Sequence, residues 1–315
     1  MKKKFIIAFI ASFVCFTILY TTVLSSLFTE KPVVATDENP EDENSVEKIK
    51  DDPKIENEIL FLMMGVDAKS VKKSKGTRTD TLMLTRVNFD TGEINILSIP
   101  RDTRLSVKGN LDKVNAAHAF GGPELSIKTI SDFLAIDLQY YVKIDYQIVQ
   151  EVVEKIGGVE IDVPLNMKYR DPTADPPLNI NIKKGLQLLD GKNAHDFLRW
   201  RHNNDYTVGY PDGDVGRIQA QQYFVKELIK QTLKAKNILK IPSLIKTYYE
   251  NVETNIPLNL MLKGAASAAK IDVDNMKTAT VPGSGQYIGN ISYYIYDREQ
   301  TNTIVEEMFG DYLFQ

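Results

Sequence analysis

Arginine and aspartate recur beside apolar runs of this sequence. The segments are Gly65-Val66-Asp67, Thr77-Arg78-Thr79-Asp80, Ile99-Pro100-Arg101-Asp102-Thr103-Arg104, Leu198-Arg199-Trp200-Arg201-His202 and Asp214-Val215-Gly216-Arg217. A guanidinium is a planar fork that grips phosphate oxygens in pairs. Aspartates such as Asp67 and Asp80 suit a hard, oxygen-seeking cation such as magnesium. Together these groups suit a diphosphate. Taken singly, each is accounted for by a strand-end turn or by a surface ion pair of nearly neutral energy. Jointly that account weakens, because the residues adjoin apolar strand or helix patterns and do not lie on one solvated face.

The elements that must position them can be read from periodicity and punctuation. Ile59 to Val66 is a continuous apolar run and reads as a buried strand. Leu82 to Val87 and Ile94 to Ile99 read as two more strands, joined through Asp90-Thr91-Gly92. Asp67, Asp80 and Arg101 therefore stand at strand ends, where ligands of α/β sheets commonly sit. Arg78 and Asp80, two apart, share a face if their segment is extended. Val114 to Ala119 reads as a short helix and Pro123 opens another, up to about Ala135. Tyr140 to Ile144 reads as a strand, Tyr146 to Ile156 as a helix stopped by Gly157-Gly158, and Val159 to Val163 as a strand. Asn166 to Lys184 reads as an irregular excursion or hairpin.

Gly191 to Arg201 reads as helical, which raises a conflict. Arg199 and Arg201 would sit about 200° apart on a helix, so both reach one ligand only if the chain leaves helical geometry near Arg199. Trp200 reads as core and His202 as a polar surface residue. The loop between Asp205 and Asp214 carries Gly209, Pro211 and Gly213 and has the composition of a lid. Val215 to about Lys236 reads as a long helix with Arg217 and Gln221 on one face near its start, where the helix end favours an anion. Helices near Pro242 to Tyr249 and Leu258 to Ala269, a strand from Met276 to Val281 and a helix from Arg298 to Phe309 complete an alternating α/β pattern.

The chain of 315 residues has a net charge of -4, which gives no reason to expect a nucleic-acid partner. Its single cysteine, Cys15, excludes an intramolecular disulfide. Lys2, Lys3 and Lys4 precede an apolar run over residues 5–28. As a helix, such a run spans roughly 36 Å, enough to cross a bilayer, and it ends without a small-residue cleavage site. The positive-inside rule keeps residues 1–4 in the cytoplasm and puts the rest outside. Residues 29–56 are acidic and nearly free of aromatics, so they read as an extended linker, with the folded domain over 57–315.

With these segments assembled, the chain resembles the LytR-CpsA-Psr family of bacterial cell-wall ligases. The resemblance runs from about Ile59 to Lys236. It rests on Gly65-Val66-Asp67, Arg78-Thr79-Asp80, Ser98-Ile99-Pro100-Arg101-Asp102, Lys113-Val114-Asn115-Ala116-Ala117, Phe197 to His202 and Gly216-Arg217-Ile218. It implies a three-layer α-β-α sandwich with a central mixed sheet, an apolar channel for a lipid tail, and one N-terminal transmembrane helix.

The implied activity moves a glycopolymer from a polyprenyl-diphosphate carrier onto peptidoglycan and releases polyprenyl phosphate. By the same resemblance Asp67 and Asp80 hold magnesium or manganese, and Arg78, Arg101, Arg199, Arg201, Arg217 and Gln221 surround the diphosphate. Arg104, Lys113 and Asn115 are further contacts. The C6 hydroxyl of N-acetylmuramic acid is the attacking group, and Asp102 is a candidate base or an ion-pair partner. One departure stands out: Ala220 occupies the place of a usual family arginine. The same site could instead admit water and act as a diphosphatase, or bind lipid or polysaccharide without turnover. A DNA-reading role is disfavoured, since residues 1–4 are too short for any reading domain.

Overall fold

The computed structural model describes residues 55–314 apart from 67–70, 72–73, 175–176, 239, 241–242, 245–246 and 249–251. The membrane span expected over residues 5–28 lies outside these residues, as do Asp67, most of the linker and half of the helix expected near Pro242. Among the described residues no helix is long and apolar enough to cross a membrane.

In chain order the strands are β1 (Glu58–Val66), β2 (Thr79–Asn88), β3 (Ile94–Ser98), β4 (Arg104–Val107) and β5 (Asn110–Lys113). Next come helix α1 (Ala116–Leu134), β6 (Tyr140–Asp145), α2 (Tyr146–Ile156), β7 (Val159–Val163), β8 (Met167–Asp171), β9 (Leu178–Ile182) and β10 (Gly185–Leu189). Then follow α3 (Gly191–Arg199), α4 (Asp214–Thr232), β11 (Glu253–Thr254), α5 (Leu258–Ser267), β12 (Lys277–Thr280), β13 (Gly283–Ile288), β14 (Ile291–Tyr296) and α6 (Arg298–Phe309).

The main sheet has the order β11-β6-β1-β2-β3-β12. It is mixed: β1 runs parallel to β6 and β3 parallel to β12, while β2 is antiparallel to both β1 and β3. The ends of β1, β3 and β6 therefore share one edge with the start of β2. Asp80, Arg101 and Tyr146 meet at that edge because the strand directions bring them there.

The two faces of the sheet are packed differently. Leu60, Leu62 and Met64 of β1 point to one side and are 3%, 0% and 0% exposed, packed with Ile130 and Leu134 of α1 and Val305, Met308 and Phe309 of α6. On the opposite side Phe61 and Met63 are only half-buried, as are Val87 of β2 and Val225 and Ile229 of α4. On the same face Ile59, Met83, Ile94, Ile96, Tyr140 and Val142 are buried, so the half-buried positions form only a strip beneath α4 and α5. A second cluster joins α2, α3 and α4 to β7 and to β8–β9, around Val153, Ile161, Met167, Phe197, Trp200 and Phe224.

Local chemistry explains the helix ends. Asp145 Oδ1 accepts from Ile148 N at 3.0 Å to cap α2, and Gly157, at φ 83°, ends it in the left-handed region. Asp190 caps α3 by accepting from Asn193 N at 2.8 Å. The two helices expected around Pro123 are joined through Gly121 and Gly122, whose backbones are non-helical.

Candidate functional site

A cleft of about 280 Å³ opens at the sheet edge. It is lined by Asp80, Arg101, Arg199, Trp200, Arg201, His202 and Arg217, together with Tyr146, Tyr169, Asp171, Leu178 and Ile180. Four arginines against two aspartates leave the lining positive. Arg101, Arg199, Arg201 and Arg217, expected together from the sequence, all line this cleft, although they come from three separate segments of the chain.

Asp80 owes its place to a bulge. Between β1 and β2, Gly65 faces Thr81 but Val66 faces Thr79, so Asp80 is left without a partner in register. A bulge of this kind turns one side chain away from strict alternation. Gly65 tolerates the crossing because a Cβ there would lie 3.0 Å from the Thr81 Cβ. Asp80 pairs with Arg101 Nη1, and its carbonyl accepts from Arg217 Nη2 at 3.5 Å. The bulge also ends the parity by which Arg78 and Asp80 share a face. Arg78 stands before β2, is exposed and does not line the cleft.

The conflict over Arg199 and Arg201 resolves as the geometry requires. α3 ends at Arg199, and Trp200 is extended, at φ -65° and ψ 142°. Both arginines then reach the cleft while Trp200, 1% exposed, anchors the core. Arg199 lies over the Tyr146 ring at 5.4 Å. Trp200 donates from Nε1 to Asn203 Oδ1 at 3.2 Å and meets Tyr210 edge to face. The loop expected as a lid is tied down: Tyr210 N donates to the Arg201 carbonyl at 3.0 Å and Asn203 N to the Val208 carbonyl at 2.7 Å. It also presses on α4 at Gly216, where a Cβ would come within 2.5 Å of the Tyr210 Cβ.

At the start of α4, Arg217 is 4% exposed and pairs with Asp214 at 2.8 Å. Arg201 Nε lies 3.8 Å from the same Asp214 oxygen. Burial opposes the charge on Arg101, but Asp80, Asp214 and Asp102 outweigh it and raise its pKa. For Arg201 the balance runs the other way: burial, then the positive fields of Arg217 and Arg101, lower its pKa. The Nε atoms of Arg101 and Arg217 are buried without a hydrogen-bond acceptor among the described residues. Crowded, incompletely paired guanidinium groups of this kind suit a multiply charged anion.

Other expected contacts fall behind the cleft. A turn closed by Thr103 N on the Pro100 carbonyl, at 2.9 Å, redirects the chain after Arg101. Arg104 and Lys113 consequently pair across β4 and β5 and lie over Tyr293 of β14, at 5.5 and 5.9 Å from the ring centre. Asp102 is held by Lys113 at 2.9 Å, which makes it an anchor of this loop. Asn115 supports the same loop through its backbone N, 3.2 Å from the Arg101 carbonyl, and its side chain is buried. Gln221 is 4% exposed and bridges the Thr81 hydroxyl and the Leu198 carbonyl, at 3.4 and 3.3 Å. None of these residues lines the cleft. Ala220 packs in the apolar cluster with Phe197 and Phe224, so this position faces core, and the charge expected to be missing from the site is not lost from the cleft wall.

Sequence reasoning missed Tyr146, Tyr169, Asp171, Leu178 and Ile180 as cleft residues. The alternation of β8 and β9 was a usable signal, since it places Tyr169 and Asp171 on one face.

A second hollow, of about 410 Å³, lies under the far half of α4. Leu228, Ile229, Leu233, Leu244, Met261 and Ile271 are among its lining residues, and it is almost wholly apolar. Leu228 is eleven residues beyond Arg217, about 16 Å along the helix.

Comparison with known proteins agrees with this architecture. The chain is 30% identical over 246 residues to the polyisoprenyl-teichoic acid--peptidoglycan teichoic acid transferase TagV of Bacillus subtilis (strain 168), covering 77% of this chain. The match spans 61% of TagV, less than two thirds of its length. TagU of the same organism, likewise named a polyisoprenyl-teichoic acid--peptidoglycan teichoic acid transferase, is 29% identical over 255 residues, covering 78% of this chain and 76% of TagU. The crystal structure of B. subtilis TagV superposes with a TM-score of 0.67 at 28% identity, covering 81% of this chain and 98% of that one. A sequence model of the LytR_cpsA_psr family matches residues 23–310, well past Lys236, where the resemblance read from the sequence ends. The chain belongs to the LytR_cpsA_psr family.

Proposed function

We propose that this protein is a membrane-anchored phosphotransferase. It moves a glycopolymer from a polyprenyl-diphosphate carrier to a hydroxyl of peptidoglycan. The carrying observation is the cleft in which Arg101, Arg199, Arg201 and Arg217 converge beside Asp80. The names of TagV and TagU support the substrate classes. A glycan hydroxyl attacks the sugar-linked phosphorus, a new phosphodiester forms, the bond to the second phosphate breaks, and polyprenyl phosphate leaves. Transfer of this kind depends on positioning and charge neutralisation, which the four guanidinium groups supply.

The lipid tail takes the space between the sheet and α4. Half-buried Met63, Val87 and Val225 lead from the site toward the apolar hollow around Ile229. Moving a tail from membrane to such a groove exchanges one oily surface for another at little net cost. Ile229→Trp fills that hollow. It should raise KM for a long-chain donor about tenfold and leave a short-chain donor unaffected; equal effects on both would place the tail elsewhere.

Magnesium or manganese belongs to the same reading. A divalent cation of this class takes one or two carboxylates and completes its shell with water and phosphate oxygens, so the Asp80 oxygen not engaged by Arg101 fits it. Asp80 would hold the ion, with Asp67, which directly follows the last residue of β1 in the sequence, as the second carboxylate, and the ion would neutralise part of the diphosphate charge. Chelation should reduce transfer at least tenfold, and Asp80→Asn should raise the magnesium concentration needed for half-maximal rate. A variant with unchanged metal dependence would remove Asp80 from this role.

Lys2, Lys3 and Lys4 before the apolar run of residues 5–28 orient the domain outward. Protease added to intact cells should digest the domain; full protection would reverse the orientation. The decisive test of function incubates the detergent-solubilised full chain with lipid-linked donor, with and without peptidoglycan. Release of polyprenyl phosphate only with acceptor supports transfer. Release without acceptor indicates a diphosphatase, and donor retention without release indicates a binding protein.

A further inference from the structure

The loop after Arg201 holds an aromatic group that the clamp does not use. His202 lines the cleft beside Arg199 and Arg201. Its ring stacks on Tyr206, with centroids 4.1 Å apart and planes at 23°. Tyr169 of β8 meets His202 edge to face at 6.0 Å. His202 Nδ1 lies 2.8 Å from the Asn203 carbonyl, so it donates there and leaves Nε2 as the ring's remaining polar atom.

Tyr206 is held by this ring stack and not by burial. It is 77% exposed, and its backbone lies in the left-handed region at φ 59°, a conformation rare for a bulky residue. Such outliers persist where the surroundings hold them, often at ligand sites. Here the surroundings do hold it. Tyr206 N donates to the Asn203 carbonyl at 3.0 Å. Asn203 and Asn204 accept from Lys168 N and Arg170 N, each at 2.8 Å, and Asn204 Nδ2 donates to the Arg170 carbonyl at 2.9 Å. Side-chain amides thereby take the place of a neighbouring strand along β8, and the loop is fixed to the cleft wall.

We propose that Tyr206, His202 and Tyr169 form a stacking platform for the pyranose ring attached to the donor's diphosphate. This inference rests on the reading of the cleft as a diphosphate clamp. A pyranose has an apolar C–H face that lies flat on an aromatic ring, and hydroxyls at its rim that take polar atoms such as His202 Nε2. His202 and Tyr169 line the cleft with the four arginines, and Tyr206, outside that lining, stacks on His202, which places the ring beside the phosphates. It makes the site select a glycosylated carrier over the bare lipid diphosphate.

The test uses the full chain in detergent and two probes, farnesyl diphosphate and the same diphosphate carrying one N-acetylglucosamine. The parent protein should bind the sugar-bearing probe about 5-fold more tightly. Tyr206→Gly removes the ring and relaxes the backbone. It should erase that preference, keep the affinity for farnesyl diphosphate, and melt no lower than the parent. Tyr206→Phe keeps the stack and should keep the preference. A parent with equal affinity for both probes, or a Tyr206→Gly variant that still prefers the sugar, overturns the platform and leaves the clamp standing. If Tyr206→Gly instead weakens only a peptidoglycan fragment, the platform serves the acceptor and the donor assignment is wrong. No binding of either probe by the parent overturns the clamp, and the platform with it.

Discussion

Arg201→Ala should lower the rate of glycopolymer transfer by about a thousandfold while the melting temperature stays level or rises. Arginines that neutralise a transferring phosphoryl group are worth about 10³-fold or more in rate. Arg201 reaches the cleft beside Arg101 and Arg217, and burial and those two positive charges both oppose its own charge. A guanidinium whose folded pKa is depressed makes the folded state less favourable at every pH where it is charged in the unfolded chain. Its 3.8 Å contact with Asp214 is outweighed by these opposing effects, so removing it relieves the free protein on balance and deprives the bound substrate. Arg101→Ala provides the contrast, because Arg101 is the partner of Asp80. That variant should lose activity to a similar degree and also lose stability, since a half-buried carboxylate loses its counter-ion. Steady-state kinetics with lipid-linked donor and a thermal melt of each variant would separate the two. A large fall in melting temperature for Arg201→Ala would contradict the electrostatic account.

Glu58→Ala should cost about 3–5 kcal/mol of folding stability, the range for breaking a buried ion pair from one side. Glu58 opens β1 and is 1% exposed. Its two oxygens take Arg86 Nε at 2.6 Å and Nη2 at 2.9 Å, and Asn88 Nδ2 donates to it at 3.0 Å. Arg86 also donates to the Met308 carbonyl at 3.3 Å, tying β2 to the end of α6. Without Glu58 the guanidinium remains largely out of water, and its ion-pair partner among the described residues is the exposed Asp311, 3.9 Å away. A loss of this size is a large share of the 5–15 kcal/mol that holds a typical domain. The double variant Glu58→Leu, Arg86→Met should recover most of it, because an apolar pair of similar volume carries no desolvation cost. Urea midpoints would measure both. A double variant as unstable as Glu58→Ala would locate the loss in packing.

Where repeats of apolar residues met unambiguous stop signals, the elements were legible in advance. Tyr146–Ile156 and Arg298–Phe309 have the bounds read from the sequence, the first because Asp145 caps it and Gly157 ends it. The hairpins β4–β5 and β13–β14 were not read. Their turns at Lys108-Gly109 and Gly289-Asn290 carried a usable signal, with φ of 49°, 80° and 61° at Lys108, Gly109 and Gly289. All six residues of β13 are exposed, so it offers no buried periodicity to find.

Residue types and strand ends alone determined that this chain gathers arginines and aspartates where an α/β sheet presents its ligand edge. They determined that Arg199 and Arg201 could cooperate only if a helix ended between them. Tertiary structure decided which charges face the cleft. The bulge at Asp80 separated it from Arg78, the turn at Thr103 sent Arg104 and Lys113 to Tyr293, and core packing claimed Ala220 and Gln221. The physical reason is that spacing specifies a side chain's direction only while the backbone repeats regularly. At a bulge, a turn or a helix end that direction is set by contacts with segments remote in the chain.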